Sequence, residues 1–201
     1  MLLPGTPKVI GLIGAAGSGK TTLALHLVQA HHYVRLPFAA PLKNMLKALG
    51  LEGVDLNDPE LKEMPHPLLG GKTPRYAMQT LGTDWGRRMM GPRFWADQWK
   101  TEARRLRNAH LVADDVRFQT ETDAIRQMGG VLIKVERPAL NGSATVPRHE
   151  SETHWSNLPH DFVILNHEGT HGKERAFGYL RQVLELASAS HAAREINADT
   201  A

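Results

Sequence analysis

The chain has 201 residues, 41% hydrophobic and 22% charged, with 24 Lys and Arg against 21 Asp and Glu for a formal net charge of +3. These proportions are those of an ordinary globular protein with enough chain to bury a core, and they exclude fibrous, low-complexity and disordered classes. The lack of cysteine removes disulfide frameworks, thiolate zinc sites and Cys nucleophiles, and a reducing cytoplasm fits. The longest apolar stretches, at 9–16 and 23–30, are broken by Gly or His and fall short of the roughly 18 residues that a membrane span needs. No basic region followed by a cleavable apolar core opens the chain, so a soluble cytoplasmic protein is expected. Three excess positive charges do not mark a nucleic-acid binder. Arg nevertheless outnumbers Lys by 15 to 9, and Arg is the cation that grips phosphate oxygens through a bidentate fork.

In chain order, Lys8 to Ile13 is a short β-branched run bounded by Pro7 and Gly14, the pattern of a buried strand. A glycine-rich stretch follows, and then a helix over 22–30 with apolar residues at helical spacing. Tyr33 to Leu36 reads as a second short strand and Ala40 to Leu49 as a helix ended by Gly50. Asp, Pro and Gly are dense over 51–73, which predicts a long excursion and no core element. Thr73 as N-cap with Pro74 at the first helical position starts a helix that runs to about Met90, and Gly91-Pro92 separates it from a helix over 93–108. A strand over 109–114 ends in two acids. A helix over 120–128, closed by Gly129-Gly130, leads to a strand over 131–136. Residues 138–160 carry no periodicity beyond a short helix, 162–165 is a last strand and 172–187 a last helix, with 188–201 as a frayed tail.

Strands separated by helices predict an α/β fold of three layers, a parallel five-stranded sheet with helices on both faces. The whole chain, 1–201, reads as one domain, with the irregular excursions at 51–73 and 138–160 as insertions in it.

The chemistry begins at Gly14-Ala15-Ala16-Gly17-Ser18-Gly19-Lys20-Thr21, a complete P-loop between an apolar strand and a helix. Its backbone N–H groups and the helix N-terminus suit a polyphosphate, Lys20 suits the β- and γ-phosphates, and the Thr21 hydroxyl suits Mg²⁺. Thr22 extends the donor set. The fold is therefore expected to be that of a P-loop NTPase. Asp114 or Asp115, at the carboxyl edge of a strand where ligands bind in open α/β sheets, would hold Mg²⁺ or its water shell, and Arg117 lies on the same rim. No Asn-Lys-x-Asp guanine-reading tetrapeptide is found, and Arg75, Arg87, Arg88, Arg93, Arg117, Arg137 and Arg148 are spread through the segments around the site. Both features favour a small-molecule kinase over a switch GTPase.

The strings Pro37-Phe-Ala-Ala-Pro-Leu-Lys43, Arg75-Tyr-Ala-Met-Gln-Thr-Leu-Gly-Thr-Asp-Trp-Gly-Arg87, Phe94-Trp95, Asp115-Val-Arg-Phe118 with Glu121, Arg137-Pro138, and Ser151-Glu152 leading to Asn166 resemble the bacteriophage-type deoxynucleoside monophosphate kinases. The resemblance spans Val9 to about Leu186. It implies transfer of the ATP γ-phosphate to a deoxynucleoside 5′-monophosphate (dNMP) in an adenylate-kinase-like fold, with 37–108 as the monophosphate-binding insertion and 138–160 as a lid-like loop. Carried onto this chain, it implies Lys43, Arg75, Gln79, Thr83, Arg87 and Arg88 around the acceptor, with Trp85 or Trp95 either stacked on the base or packed as core. Asp115, Arg117 and Glu121 would line the catalytic rim, and Arg137 and Arg148 would act from the lid. The implied partners are ATP, Mg²⁺ and the monophosphate, without nucleic acid or membrane; a homodimer is left open, and the compartment is the host cytoplasm if the protein is phage-encoded. A kinase for another small acceptor, such as dephospho-coenzyme A or a sugar, and a nucleotide-hydrolysing switch or assembly ATPase are the alternatives. His167-Glu-Gly-Thr-His171 matches a zinc-protease pattern by its letters, but that chemistry needs both histidines on one helical face. A preceding strand and the flanking Gly169 and Gly172 argue for a turn.

Overall fold

Five strands, β1 (Val9–Ile13), β2 (Val34–Arg35), β3 (Leu111–Val116), β4 (Val131–Glu136) and β5 (Phe162–Leu165), pair in the order β2-β3-β1-β4-β5. Every pairing is parallel. β1 is central and all five of its residues are buried, which is why it reads as a continuous apolar run with no alternation. The computed structural model describes residues 5–138, 154–167 and 171–198. Its chain divides into two compact units, 1–37 with 102–201, and 38–101.

The sheet belongs to the first unit. Helices α1 (Lys20–His31) and α7 (Gly172–Ala198) cover one face. Leu23, Ala24 and Leu27 of α1 and Ala176, Leu180, Val183 and Leu184 of α7 form one buried cluster with Ile10, Leu12, Val112, Ile133, Val135 and Ile164. At about 1.5–3 kcal/mol for each fully buried large side chain, burial on this face is a large stabilising contribution to the unit. The opposite face at Gly11 is closed by Ile125 of helix α6 (Gln119–Gln127). The expected α/β architecture, with a parallel five-stranded sheet between two helical layers, is the one observed.

Among the boundaries that differ from expectation are those of β3 and of the last helix. β3 extends to Val116 and so runs past the two acids. Gly11 pairs with Ala113 but Ile13 with Val116, so two steps along β1 match three along β3. This bulge re-aims side chains at the carboxyl edge of the sheet. The tail expected to fray from residue 188 instead continues α7 to Ala198: 188–198 holds no Gly or Pro to stop a helix and is rich in Ala.

The second unit contains helices α2 (Ala40–Ala48), α3 (Gly53–Asn57) and α4 (Pro74–Gln79), with most of α5 (Phe94–Arg105). The turn-rich segment over 51–73, read as lying outside any core, contributes to one. Leu51 and Leu56 are buried with Leu46, and Leu69, Ala77, Met78 and Leu81 pack on them. Short helical turns at Leu61–Glu63 and Pro67–Leu69 also lie in this stretch. Pro and Asp marked the turns correctly, but the isolated leucines were too sparse to show periodicity. The helix begins at Pro74 with the Thr73 hydroxyl accepting from Tyr76 N–H, as expected for an N-cap. It is not one α-helix to Met90, because Thr80–Met90 is π-helical, a geometry found mostly as single turns at functional sites.

Candidate active site

The loop after β1 delivers the chain into α1 through Gly19, whose φ of 102° is left-handed. A Cβ at this position would also fall 2.4 Å from Asn166 Nδ2, so only glycine fits. Lys20 is buried, and its Nζ donates to the carbonyls of Gly14 at 2.8 Å and Ala15 at 2.6 Å. Burial, and then the nearby Arg117 cation, push its pKa down to about 8 against the raising effect of Asp114 and Asp115. The Ser18 hydroxyl is buried with no hydrogen-bond partner among the described residues. An orphaned hydroxyl and a desolvated ammonium in one glycine loop form a cradle suited to an anion.

At the adjacent edge of the sheet, Thr21 Oγ1 donates to Asp114 Oδ2 at 2.8 Å. The proton points at the acid, so the hydroxyl oxygen keeps its lone pairs for a cation. Asp114 is 3% exposed, whereas Asp115 is half-buried beside it in the bulge. Arg35, at the end of β2, clasps both oxygens of Asp114, Nε to Oδ1 at 2.9 Å and Nη2 to Oδ2 at 2.8 Å. Arg35 was not among the residues anticipated. The only signal for it was a cation at the end of a strand adjacent to the acid-bearing one.

Arg137 Nη1 donates to Gly17 O at 3.3 Å, and Asn166 Nδ2 donates to Ser18 O at 2.8 Å. Asn166 thereby ties the residue after β5 to the P-loop, a contact absent from the predicted site. Arg137 and Asn166, with Gly19, Thr22, Lys173 and Phe177, line a cleft of about 250 Å³ beside the loop. The Phe177 ring stacks on His26 with centroids 3.9 Å apart. Glu121, expected on the catalytic rim, is 2% exposed, and its Oε2 accepts from the backbone N–H groups of Arg117 at 2.7 Å and Phe118 at 3.2 Å. Its carboxylate caps α6. Arg148 lies outside the described residues. Of the zinc-protease pattern, His167 follows β5 and His171 precedes α7, while 168–170 lie outside the described residues. Among the described residues there is no group of three or more His, Asp or Glu arranged to hold a metal, and no helix long and apolar enough to cross a membrane.

Within the second unit, Lys43 Nζ donates to Asn57 Oδ1 at 2.6 Å, and Arg75 pairs with Glu63. The exposed Arg88 pairs with Asp84 at 2.6 Å, one turn away. Gln79 ends α4, and Thr83 is buried in the π-helical segment. Arg87 Nη1 donates to Gly82 O at 3.2 Å. Trp85 is half-buried and meets Phe94 edge-on at 5.3 Å. Trp95 is 3% exposed and donates its indole Nε1 to Gly82 O at 2.8 Å. For Trp95, the geometry is that of packed core.

Residues 72–171, which contain the π-helical segment and both acids of β3, match the family model for deoxynucleotide monophosphate kinase. A protein of Acanthamoeba polyphaga mimivirus, named provisionally as a deoxynucleotide monophosphate kinase, is 35% identical over 174 residues, covering 80% of this chain and 89% of its own. The chain belongs to this kinase family. It is accordingly a phosphotransferase, as the resemblance implied. The crystal structure of shikimate kinase from Aquifex aeolicus vf5 superposes over 89% of this chain and 98% of its own with a TM-score of 0.46 at 13% identity.

Proposed function

We propose that this kinase transfers the γ-phosphoryl group of ATP directly to the 5′-phosphate of a deoxynucleoside monophosphate, with Mg²⁺ as cofactor. The observation that carries the reading is the Thr21 hydroxyl donated to Asp114 beside a buried Lys20 amine turned into a glycine cradle. A triphosphate gives that ammonium a better partner than the two loop carbonyls and gives the Ser18 hydroxyl an acceptor. Gly14 to Thr22 would hold the donor. Thr21, with Asp114 or Asp115 behind it, would hold Mg²⁺. When bound, Mg²⁺ neutralises charge on the phosphate oxygens.

In the transfer, an acceptor phosphate oxygen forms a bond to the γ-phosphorus. The bond from that phosphorus to the β,γ-bridging oxygen breaks, and ADP leaves with the electron pair. No covalent enzyme intermediate is required, and the protein contributes position and positive charge. Lys20, Arg117 and Arg137 supply charge around the P-loop, with Arg148 assigned to the lid-like segment. Lys43, Arg75, Gln79, Thr83, Trp85, Arg87 and Arg88 are assigned to the acceptor. The family description and the name of the mimivirus relative support a deoxynucleotide as that acceptor.

A coupled ADP-release assay with ATP and Mg²⁺ tests this against each of the four dNMPs, with AMP, dephospho-coenzyme A and no acceptor as controls. ADP release that depends on a dNMP is the expected result. Release that needs no acceptor would overturn the proposal in favour of a nucleotide hydrolase.

A further inference from the structure

Asp114 accepts three hydrogen bonds, one from Thr21 and two from Arg35. Its side chain is 2% exposed, while that of Arg35 is 37% exposed, so the guanidinium reaches inward from β2 to cover a carboxylate that solvent cannot reach. Two adjacent acids and a threonine hydroxyl are hard oxygen donors of the kind that take a divalent cation directly. Here both oxygens of Asp114 are engaged by the planar guanidinium, and the Oδ2 atom also holds the Thr21 proton. A lysine ammonium at position 35 would be a point charge without this fork.

We propose that Arg35 is a positioning residue that serves as the built-in counter-cation of Asp114. It holds the carboxylate on the Thr21 hydroxyl and keeps a divalent ion from binding there alone, so that the metal enters together with a triphosphate. The inference rests on the reading above that Thr21 and Asp114 form the metal side of the nucleotide site.

The test is Mn²⁺ binding, followed by loss of the free-ion signal in electron paramagnetic resonance. The full chain is titrated without nucleotide and again with a non-hydrolysable ATP analogue, the second titration being read against the same analogue without protein because the triphosphate itself takes up Mn²⁺. Without nucleotide, Arg35→Met should bind Mn²⁺ at least about tenfold more tightly than wild type, equivalent to about 1.4 kcal/mol. Arg35→Met/Asp114→Asn should return to the wild-type value. Circular dichroism checks that the single variant is folded. Where loss of the counter-charge unfolds it, Arg35→Gln, which keeps a donor for Asp114 without the charge, takes its place with the same expectation. Wild-type binding of Mn²⁺ with the analogue, together with no gain in the nucleotide-free variants, would overturn the role of Arg35 and leave the nucleotide reading standing. Failure of the wild type with the analogue to take up more Mn²⁺ than the analogue does alone would overturn both.

Discussion

The indole of Trp95 donates to the carbonyl oxygen of Gly82 at 2.8 Å, and the same ring fills the space where a side chain at residue 86 would stand. A Cβ on Gly86 would lie 2.1 Å from Trp95 Nε1. Two turns of the π-helical segment are thereby pinned to α5, with Thr83, Trp85 and Arg87 on the pinned stretch. Trp95→Phe keeps most of the ring but loses the donor, and should cost about 1–2 kcal/mol in urea unfolding. Gly86→Ala should cost more, because a buried indole has to move. If Trp95 instead contacts the acceptor base, Trp95→Phe will leave the unfolding midpoint in place and raise only the acceptor KM.

Lys20 yields a pH prediction. Its folded pKa of about 8 lies below the ordinary lysine value of 10.5 because burial disfavours the ammonium. The unfolded chain therefore binds more protons between those values, and this group makes stability rise with pH across that window. Below about pH 8 the buried charge costs the nucleotide-free protein on the order of 3 kcal/mol. Lys20→Met should raise the Tm of the nucleotide-free protein at pH 7, lose that advantage near pH 10.5, and abolish phosphoryl transfer. ATP affinity of the wild type should fall as pH rises through 8, since binding then requires proton uptake, which calorimetry in two buffers would register. A Tm for Lys20→Met below that of wild type at pH 7 would refute the assignment.

The sheet, the P-loop and its helix were legible because each depends on neighbours in sequence: β1 is an unbroken apolar run, and Gly19-Lys20-Thr21 follow it directly. The partners of the site were less legible. Arg35 and Asp114 are 79 residues apart, and only the order β2-β3-β1 brings their strand ends together. The bulge in β3 depends on pairing with β1, so the strand could be read no further than its acids. Asn166 appeared in the family-like strings, but its bond to Ser18 spans 148 residues and has no local signature. In Thr80–Met90 the spacing of Leu81 and Trp85 suits an α-helix, and the π geometry accompanies contacts made by Trp95.

Glu121 separates capping from catalysis. Its carboxylate accepts from two backbone N–H groups just before α6, the reciprocal half of a capping arrangement. Glu121→Ala should cost about 1–2 kcal/mol of stability. Glu121→Gln, which retains an acceptor oxygen, should cost less. Both should leave the acceptor KM within about twofold of wild type, since ±0.4 kcal/mol corresponds to that factor. A large rise in KM for Glu121→Gln at unchanged Tm would instead return this residue to the catalytic rim.

The clip between Asn166 and the P-loop can be tested apart from the strain at Gly19. Removing the Nδ2 donor to Ser18 O in Asn166→Ala should raise the ATP KM by about three- to tenfold, the equivalent of one hydrogen bond of about 1 kcal/mol. The acceptor KM should change little. Gly19→Ala introduces two faults together, a methyl 2.4 Å from Asn166 Nδ2 and a non-glycine residue at φ 102°. Asn166→Ala relieves the first but not the second. Gly19→Ala/Asn166→Ala should therefore remain as deficient in ATP binding as Gly19→Ala alone, because the left-handed backbone that leads into α1 is what the glycine supplies. Recovery in the double variant to the level of Asn166→Ala would show that the clash alone selects glycine at this position, and that the loop tolerates the altered backbone.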